Sequence, residues 1–187
     1  MVDINHNNLT GADLHEPKGA ATAPAGSVYV ADAGTSGVWT PVHAYVGAYV
    51  AFDATTPAYS HTTGLAETTI NPTFVIGTSN GFSGGSPAKL IYDGTFPIKA
   101  NLSLVLSVKN ASGTSRDVEW AFFKNGVELS GTRVIRSISS STWGSIAMSG
   151  FTSMVTTDYI DVRTKASADA TNIHYASAYF TIMGVTT

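Results

Sequence analysis

From Tyr45 to the C-terminus, short strand-like segments alternate with turn residues, and this pattern limits the possible folds more than any other feature. Val, Ile, Tyr, Phe and Thr are enriched in these segments, and Gly, Pro, Asn or Ser separates most of them. No segment longer than ten residues has apolar side chains at the i, i+3, i+4, i+7 spacing of an amphipathic helix. The sequence therefore predicts an all-β fold, a sandwich or a barrel, with essentially no helix.

The predicted strands are 45–53, 73–77, 88–93, 98–109, 116–124, 132–139, 143–149, 153–164 and 172–184. Asn125-Gly126 follows one of them and is the dipeptide that most strongly favours a two-residue hairpin. In 98–109, apolar residues alternate with Lys, Asn and Ser, which indicates a strand with one face on a core and the other in water. Trp120 shares a strand face with Val118 and Phe122, so we expect it in the core.

The composition changes near residue 43. Residues 1–27 have almost no apolar periodicity and cannot bury enough surface to form a core of their own. Residues 27–31 and 38–41 flank a Gly-rich turn, which predicts one small hairpin. The sequence therefore divides into an extended N-terminal arm with a hairpin, 1–43, and a β-sandwich domain, 44–187.

Charge is scarce in this chain. Charged residues make up 12% of it, against about 25% in ordinary soluble domains, which suits a surface that is buried between subunits. The net charge of −3 argues against nucleic acid or an anionic membrane as a partner. The N-terminus lacks the basic and apolar stretches of a signal peptide, and no run of apolar residues is long enough to cross a membrane.

Residues able to support catalysis or bind metal form no recognisable constellation. The chain contains no cysteine, and its five histidines lack the spacing of zinc ligands. Asp158 and Asp161 are three residues apart on the predicted strand 153–164, so their side chains leave opposite faces and both are expected in solvent. Ser83 lies in Gly81-Phe82-Ser83-Gly84-Gly85, but no predicted helix follows this segment to build a nucleophile elbow, so we interpret it as a flexible loop. We predict a non-enzymatic protein with no catalytic residue, no metal site and no cofactor.

The closing strand, 172–184, is apolar on both faces, and both faces must therefore be covered. The sandwich covers one face, and either a second copy of the chain or an overlying loop covers the other. One face carries Ala176, Ala178, Phe180 and Ile182, which is typical of tight sandwich packing. We assign the opposite face to the subunit interface: Ile173, Tyr175, Tyr179 and Met183.

Two parts of the chain resemble known families. Asn8-Leu9-Thr10-Gly11-Ala12-Asp13-Leu14-His15-Glu16-Pro17-Lys18-Gly19, followed by 27–32 and 37–39, resembles the N-terminal attachment segment of tailed-phage head-fibre, decoration and tail-fibre proteins. The remainder is similar to the trimeric jelly-roll heads of the tumour-necrosis-factor and complement type. That similarity lies in the Asn-Gly hairpin, in 154–162 and in the aromatic closing strand.

The resemblance implies a jelly-roll sandwich, a homotrimer and a place on the virion. The predicted function is that of a capsid decoration or cement protein on the outer surface of a phage head, where the arm binds the major capsid protein. Three arms on one trimer would raise the avidity of a weak single contact. The arm residues expected to make that contact are Leu9, Thr10, Leu14, His15, Val28, Val30 and Trp39.

A second hypothesis is a receptor-binding module of a phage head or tail fibre that holds a host surface glycan in its loops. The candidate loops are 53–72, 78–87 and 139–143. Stacking on a sugar needs exposed aromatic side chains, and these loops contain only Tyr59, Phe82 and Trp143. A secreted glycan hydrolase is a third hypothesis, which the shortage of carboxylate pairs disfavours.

Overall fold

The computed structural model describes residues 27–31, 37–41, 43–51, 59–70, 72–84, 87–140 and 142–186. The chain divides into two units, Met1–Val42 and His43–Thr187. In the first, β1 (Ser27–Ala31) and β2 (Gly37–Pro41) form an antiparallel hairpin. The predicted arm contacts Leu9, Thr10, Leu14 and His15 lie outside the described residues, as do the side chains of Val28, Val30 and Trp39.

The second unit is a β-sandwich of two antiparallel sheets. Its strands are β3 (His43–Ala51), β4 (Tyr59–Thr63), β5 (Thr68–Thr69), β6 (Val75–Asn80), β7 (Phe82–Gly84), β8 (Lys89–Tyr92), β9 (Ile98–Asn110), β10 (Arg116–Lys124), β11 (Val127–Glu128), β12 (Val134–Ile138), β13 (Gly144–Met154), β14 (Tyr159–Ala166) and β15 (Thr171–Thr186). The six-stranded sheet has the order β13-β9-β15-β3-β6, with β4 beside β15. The seven-stranded sheet has the order β11-β10-β14-β8-β7, with β12 beside β10 and β5 beside β14.

This arrangement confirms the all-β jelly-roll prediction. The residues that the structure describes include no helix, and among them no helix is long and apolar enough to cross a membrane. Consecutive strands lie in different sheets at several points, as between β9 and β10 or between β13 and β14. The core therefore forms between residues that are distant in sequence.

The alternating strand 98–109 is confirmed as half-buried, because every second residue of β9 points into the core. Trp120 is also in the core, fully buried. Phe122 of the seven-stranded sheet stacks on Phe180 of the six-stranded sheet with ring centroids 5.4 Å apart. The core side chains of β9 are Ile98, Ala100, Leu102, Leu104, Leu106 and Val108.

The Asn125-Gly126 hairpin joins β10 to β11. Both residues have positive φ, 50° and 82°, which is the conformation of a type I′ turn. Asn and Gly adopt it at little steric cost, so the local sequence determines this turn.

The single predicted strand 153–164 is wrong, because the chain turns between Met154, where β13 ends, and Tyr159, where β14 begins. The Asp158 amide donates a hydrogen bond to the Val155 carbonyl at 3.0 Å. The Asp158 carboxylate accepts one from the Val155 amide at 2.9 Å. The side chain of Asp158 thus closes a tight turn in which Thr157 has a φ of 74°.

The structure contradicts two of the four residues predicted at the subunit interface, and the other two remain a prediction. Ile173 and Tyr175 are fully buried in the chain's own core, whereas Tyr179 and Met183 point outward with 54% and 69% of their surface exposed. A β-bulge between Tyr175 and Ser177 shifts the pairing of β15 with β9. A bulge adds one residue to one strand and therefore reverses the alternation beyond it.

Candidate interaction face

The outer face of the six-stranded sheet is almost free of charge. Of all the Asp, Glu, Lys and Arg residues, its six strands contain only Lys99 and Lys109, at opposite ends of β9. A sheet face that remains in water usually carries polar and charged side chains. The composition of this face is instead that of an interface core, where charged residues are depleted.

Large apolar side chains occupy the same face. In the antiparallel register, Tyr179 of β15 lies between Tyr49 of β3 and Val105 of β9. Met183 lies opposite Tyr45. The exposed apolar residues of this face are Tyr45, Tyr49, Val75, Val105, Phe151, Tyr179, Met183 and Val185.

Two glycines bring the tyrosine rings close to the backbone. A Cβ atom on Gly47 would lie 3.3 Å from the Tyr179 hydroxyl oxygen. A Cβ atom on Gly77 would lie 3.0 Å from the Gly47 carbonyl oxygen and 3.7 Å from the Tyr49 ring. Larger residues at these positions would push the rings outward. The glycines therefore allow the tyrosine rings to lie close to the backbone of this face.

Two adjoining grooves cross the face and share Tyr45 and Met183. The first has a volume of about 450 Å³ and includes Phe151 and Val185 in its lining. The second, of about 460 Å³, runs past Tyr179 and the two glycines. Apolar grooves beside protruding apolar side chains are typical of surfaces that bind another protein.

The outer face of the seven-stranded sheet has the opposite character. Arg133 forms ion pairs with Glu67, Glu119 and Glu128, and Lys165 contacts Glu119 at 3.3 Å. The hydrogen bond from Arg133 lowers the pKa of the Glu128 carboxyl. This face therefore has the mixed charges of a surface in water, and the apolar face is confined to the other sheet.

Asp158 and Asp161 are buried, which corrects the expectation that both face solvent. Asp158 lies 2.7 Å from the Lys124 ammonium, and Asp161 accepts a hydrogen bond from Arg163 Nε at 3.1 Å. Each carboxylate thus belongs to its own structural network. Among the residues described, no group of three or more His, Cys, Asp or Glu side chains could hold a metal ion.

The core has a polar end that the sequence did not reveal. His61 Nε2 is hydrogen-bonded to the Thr68 hydroxyl at 2.9 Å, and burial lowers the pKa of this imidazole. The Tyr175 hydroxyl is fully buried beside the Trp120 indole, and neither polar group has a hydrogen-bond partner among the described residues. Burial raises the pKa of Tyr175. Threonine, histidine and tyrosine side chains thus replace hydrocarbon at this end of the sandwich.

The aromatic residues of the candidate sugar-binding loops are differently placed. Phe82 is buried and packs on Tyr92 with ring centroids 5.2 Å apart. Tyr59 packs partly against the core. Trp143 is half-buried, with the Lys109 ammonium 5.0 Å from its ring centroid. These three rings do not form one exposed stacking surface.

No protein family model matches the chain, and no curated protein matches it in sequence. Three solved structures with a similar arrangement of strands are the PRD1 vertex protein P5, murine APRIL and the Eiger TNF from S. frugiperda. For P5 the identity is 13%, with 76% of this chain and 96% of that chain covered and a TM-score of 0.45. For APRIL the corresponding values are 14%, 73%, 98% and 0.43, and for Eiger TNF they are 7%, 77%, 94% and 0.45. The likeness to these proteins is one of fold alone.

Proposed function

We propose that this chain is a virion structural protein that assembles as a homotrimer through the outer face of its six-stranded sheet. The observation that carries the proposal is the outward, apolar surface around Tyr179 and Met183, on a sheet whose six strands contain only two charged residues, Lys99 and Lys109. Monomeric proteins rarely expose a contiguous apolar patch of this kind unless it is a binding site. A second copy is a natural partner, because two faces with so few charged residues meet with little like-charge repulsion.

The energetic argument favours burial of this face. Fully burying a Phe or Met side chain contributes about 1.5–3 kcal/mol, and Phe151 and Met183 are 79% and 69% exposed in the single chain. Tyrosines add contact area with few rotatable bonds, so their ordering at an interface loses little entropy. The flat rings beside Gly47 and Gly77 would permit close approach of a second sheet.

The finer proposal is that the trimer decorates the outer surface of a phage capsid as a cement protein. It is supported by the resemblance of residues 8–19 to phage attachment segments. The arm would bind the major capsid protein, with Leu9 and Leu14 as its apolar contacts. Ordering an extended arm opposes binding by about 1–2 kcal/mol per residue, so three linked arms are needed for firm attachment.

The first test is the native mass of the full chain by sedimentation or native mass spectrometry. We expect three times the 19.5 kDa chain mass for the wild type and a monomer for Tyr179→Glu. Ile135→Glu is the matched control, because Ile135 is 63% exposed on the seven-stranded sheet. A wild-type monomer, or a trimer that survives Tyr179→Glu, would contradict the proposed interface.

The second test concerns attachment. Leu9→Asp/Leu14→Asp in the full chain should leave the trimer intact and abolish co-sedimentation with capsid shells that lack this protein. Unchanged binding to shells would remove the arm from the proposal. Selective retention of the wild-type trimer on a glycan array, without shell binding, would instead favour the receptor-binding module.

A further inference from the structure

The Asn125-Gly126 hairpin contains a dipeptide whose chemistry the proposed function does not use. In an Asn-Gly sequence, the glycine backbone nitrogen can attack the asparagine side-chain carbonyl carbon. A bond from this nitrogen to Cγ forms, the Cγ–Nδ2 bond breaks, and ammonia leaves as the glycine amide loses its proton. Water then opens the resulting succinimide and produces aspartate or isoaspartate.

In the folded chain, the reacting side chain is held by neighbouring residues. Asn125 Nδ2 donates a hydrogen bond to Asp158 Oδ1 at 2.6 Å, and its Oδ1 accepts one from the Tyr159 amide at 3.0 Å. The Asn125 amide also donates to the Tyr159 carbonyl at 3.1 Å. Both polar atoms of the side chain are therefore directed to the start of β14, and rotation toward Gly126 must break both bonds.

Asp158, which accepts the hydrogen bond from Asn125 Nδ2, is itself held in place by other donors. Asp158 is buried and also accepts hydrogen bonds from the Val155 amide and the Lys124 ammonium. Burial alone would raise the pKa of this carboxyl, but the hydrogen bonds from Lys124, Val155 and Asn125 outweigh it and hold the pKa below its ordinary value. The carboxylate is thus charged at mildly alkaline pH, where loss of the glycine amide proton promotes deamidation.

We propose that Asn125 is a latent deamidation site, which the clamp formed by Asp158 and Tyr159 protects in the folded chain. Local opening of the β10–β14 end exposes the site to the intramolecular attack. The product carboxylate would replace the donor Nδ2 opposite Asp158, and two carboxylates at that distance repel each other. Deamidation would therefore keep the clamp open and convert a transient opening into a permanent one.

The decisive experiment compares the wild-type full chain in buffer and in urea at mildly alkaline pH, with peptide mapping by mass spectrometry. The second Asn-Gly pair, Asn80-Gly81, is followed in the same samples as a reference for the chemistry in urea. We expect the two sites to react at similar rates in urea, and Asn125 to react about 100-fold more slowly in the folded chain. Protection of Asn125 by less than about tenfold would overturn the proposal.

A variant tests whether the clamp is the cause. Asp158→Asn should accelerate deamidation at Asn125, and Asp161→Asn in the following strand β14 should not, with circular dichroism confirming that both variants are folded. An unchanged rate in folded Asp158→Asn would overturn the role of Asp158. If that variant does not fold, the wild-type comparison still decides whether the folded chain protects Asn125.

The consequence of deamidation has its own test. Asn125→Asp reproduces the product charge and should lower Tm by about 5 °C. The double variant Asn125→Asp/Asp158→Asn exchanges donor and acceptor, so it should regain most of that loss. Additive losses in the double variant would show that charge repulsion between these two positions is not the mechanism.

Discussion

Tyr179 of β15 lies directly opposite Tyr49 of β3, and both rings project from the sheet on the side away from the core. The pair lies at the centre of a sheet face whose strands contain charged residues only at the two ends of β9. Cross-strand aromatic pairs stabilise a sheet modestly, which alone does not account for leaving both rings exposed. Their position explains why the proposed assembly uses this face.

The first prediction concerns Gly47, which leaves room for the Tyr179 ring beside Tyr49. Gly47→Val places a side chain against the Tyr179 hydroxyl and should tilt the ring outward. Because valine suits a strand, we expect the sandwich itself to remain stable and the dissociation constant of the assembly to rise at least about tenfold. Sedimentation over a dilution series measures this change. Thr181→Val, which preserves shape in the neighbouring position, is the control, and equal weakening by both variants would contradict the argument.

The second prediction concerns Tyr175, whose buried hydroxyl has no hydrogen-bond partner in the part of the chain that the structure describes. Tyr175→Phe removes a polar group that is desolvated without compensation, so the free energy of unfolding should stay equal or rise by about 1 kcal/mol. Tyr175→Ala, in contrast, leaves a cavity and should lower it by about 3–5 kcal/mol. Urea unfolding of both variants is the measurement. A loss above about 1 kcal/mol in Tyr175→Phe would mean that the hydroxyl makes a stabilising bond to Trp120.

Acid sensitivity is the third prediction. Burial lowers the pKa of His61 below its ordinary value of 6.5, so the folded state favours the neutral imidazole. The stabilisation is complete above pH 6.5 and is lost as the pH falls from that value through the folded-state pKa. We expect Tm to fall over this interval and to fall less steeply in His61→Gln. Some slope should remain, because burial and Lys109 also lower the pKa of His174. Identical slopes in the two proteins would exclude His61 as the sensor.

The fourth prediction concerns Arg133. Its guanidinium forms ion pairs with three carboxylates from separate segments, Glu67, Glu119 and Glu128. Arg133→Met leaves these acids facing one another and should lower the free energy of unfolding by about 1–3 kcal/mol. Glu67→Gln removes a single partner and should change it by less than about 1 kcal/mol. Urea unfolding at low and high salt provides the check. The effect of Arg133→Met should shrink as salt screens the repulsion, and a salt-independent loss would point to packing instead.

Much of the sandwich follows from local patterns. The alternation of β9 indicates one buried and one outward face, because successive side chains of a strand leave opposite sides. Asn125-Gly126 specifies its own turn through the two positive φ angles that these residues tolerate. Trp120 follows from its neighbours Val118 and Phe122 on the same face, and all three are buried.

The turn before β14 and the burial of Asp158 and Asp161 could not be predicted from local patterns. The sequence alone indicates that Asp158 is a solvent-facing residue of a continuous strand. In the structure, Lys124 and Asn125, more than thirty positions earlier, lie beside it. A carboxylate is buried when donors surround it, and two of these donors, Lys124 and Asn125, come from the end of β10 and the turn after it. Sequence patterns contain no information on that proximity.

The closing strand, β15, shows most clearly which properties follow from the sequence and which depend on the tertiary structure. Its own residues determined that it is long, apolar on both faces and in need of a second cover, because these properties follow from composition and alternation. Only the tertiary structure decided which residues face outward. β15 pairs with β4 from Thr171 to Tyr175 and with β3 from Ser177 to Val185, and the bulge lies between the two partners. Since one extra residue reverses every later side chain, Tyr175 belongs to the core and Tyr179 to the apolar outer face.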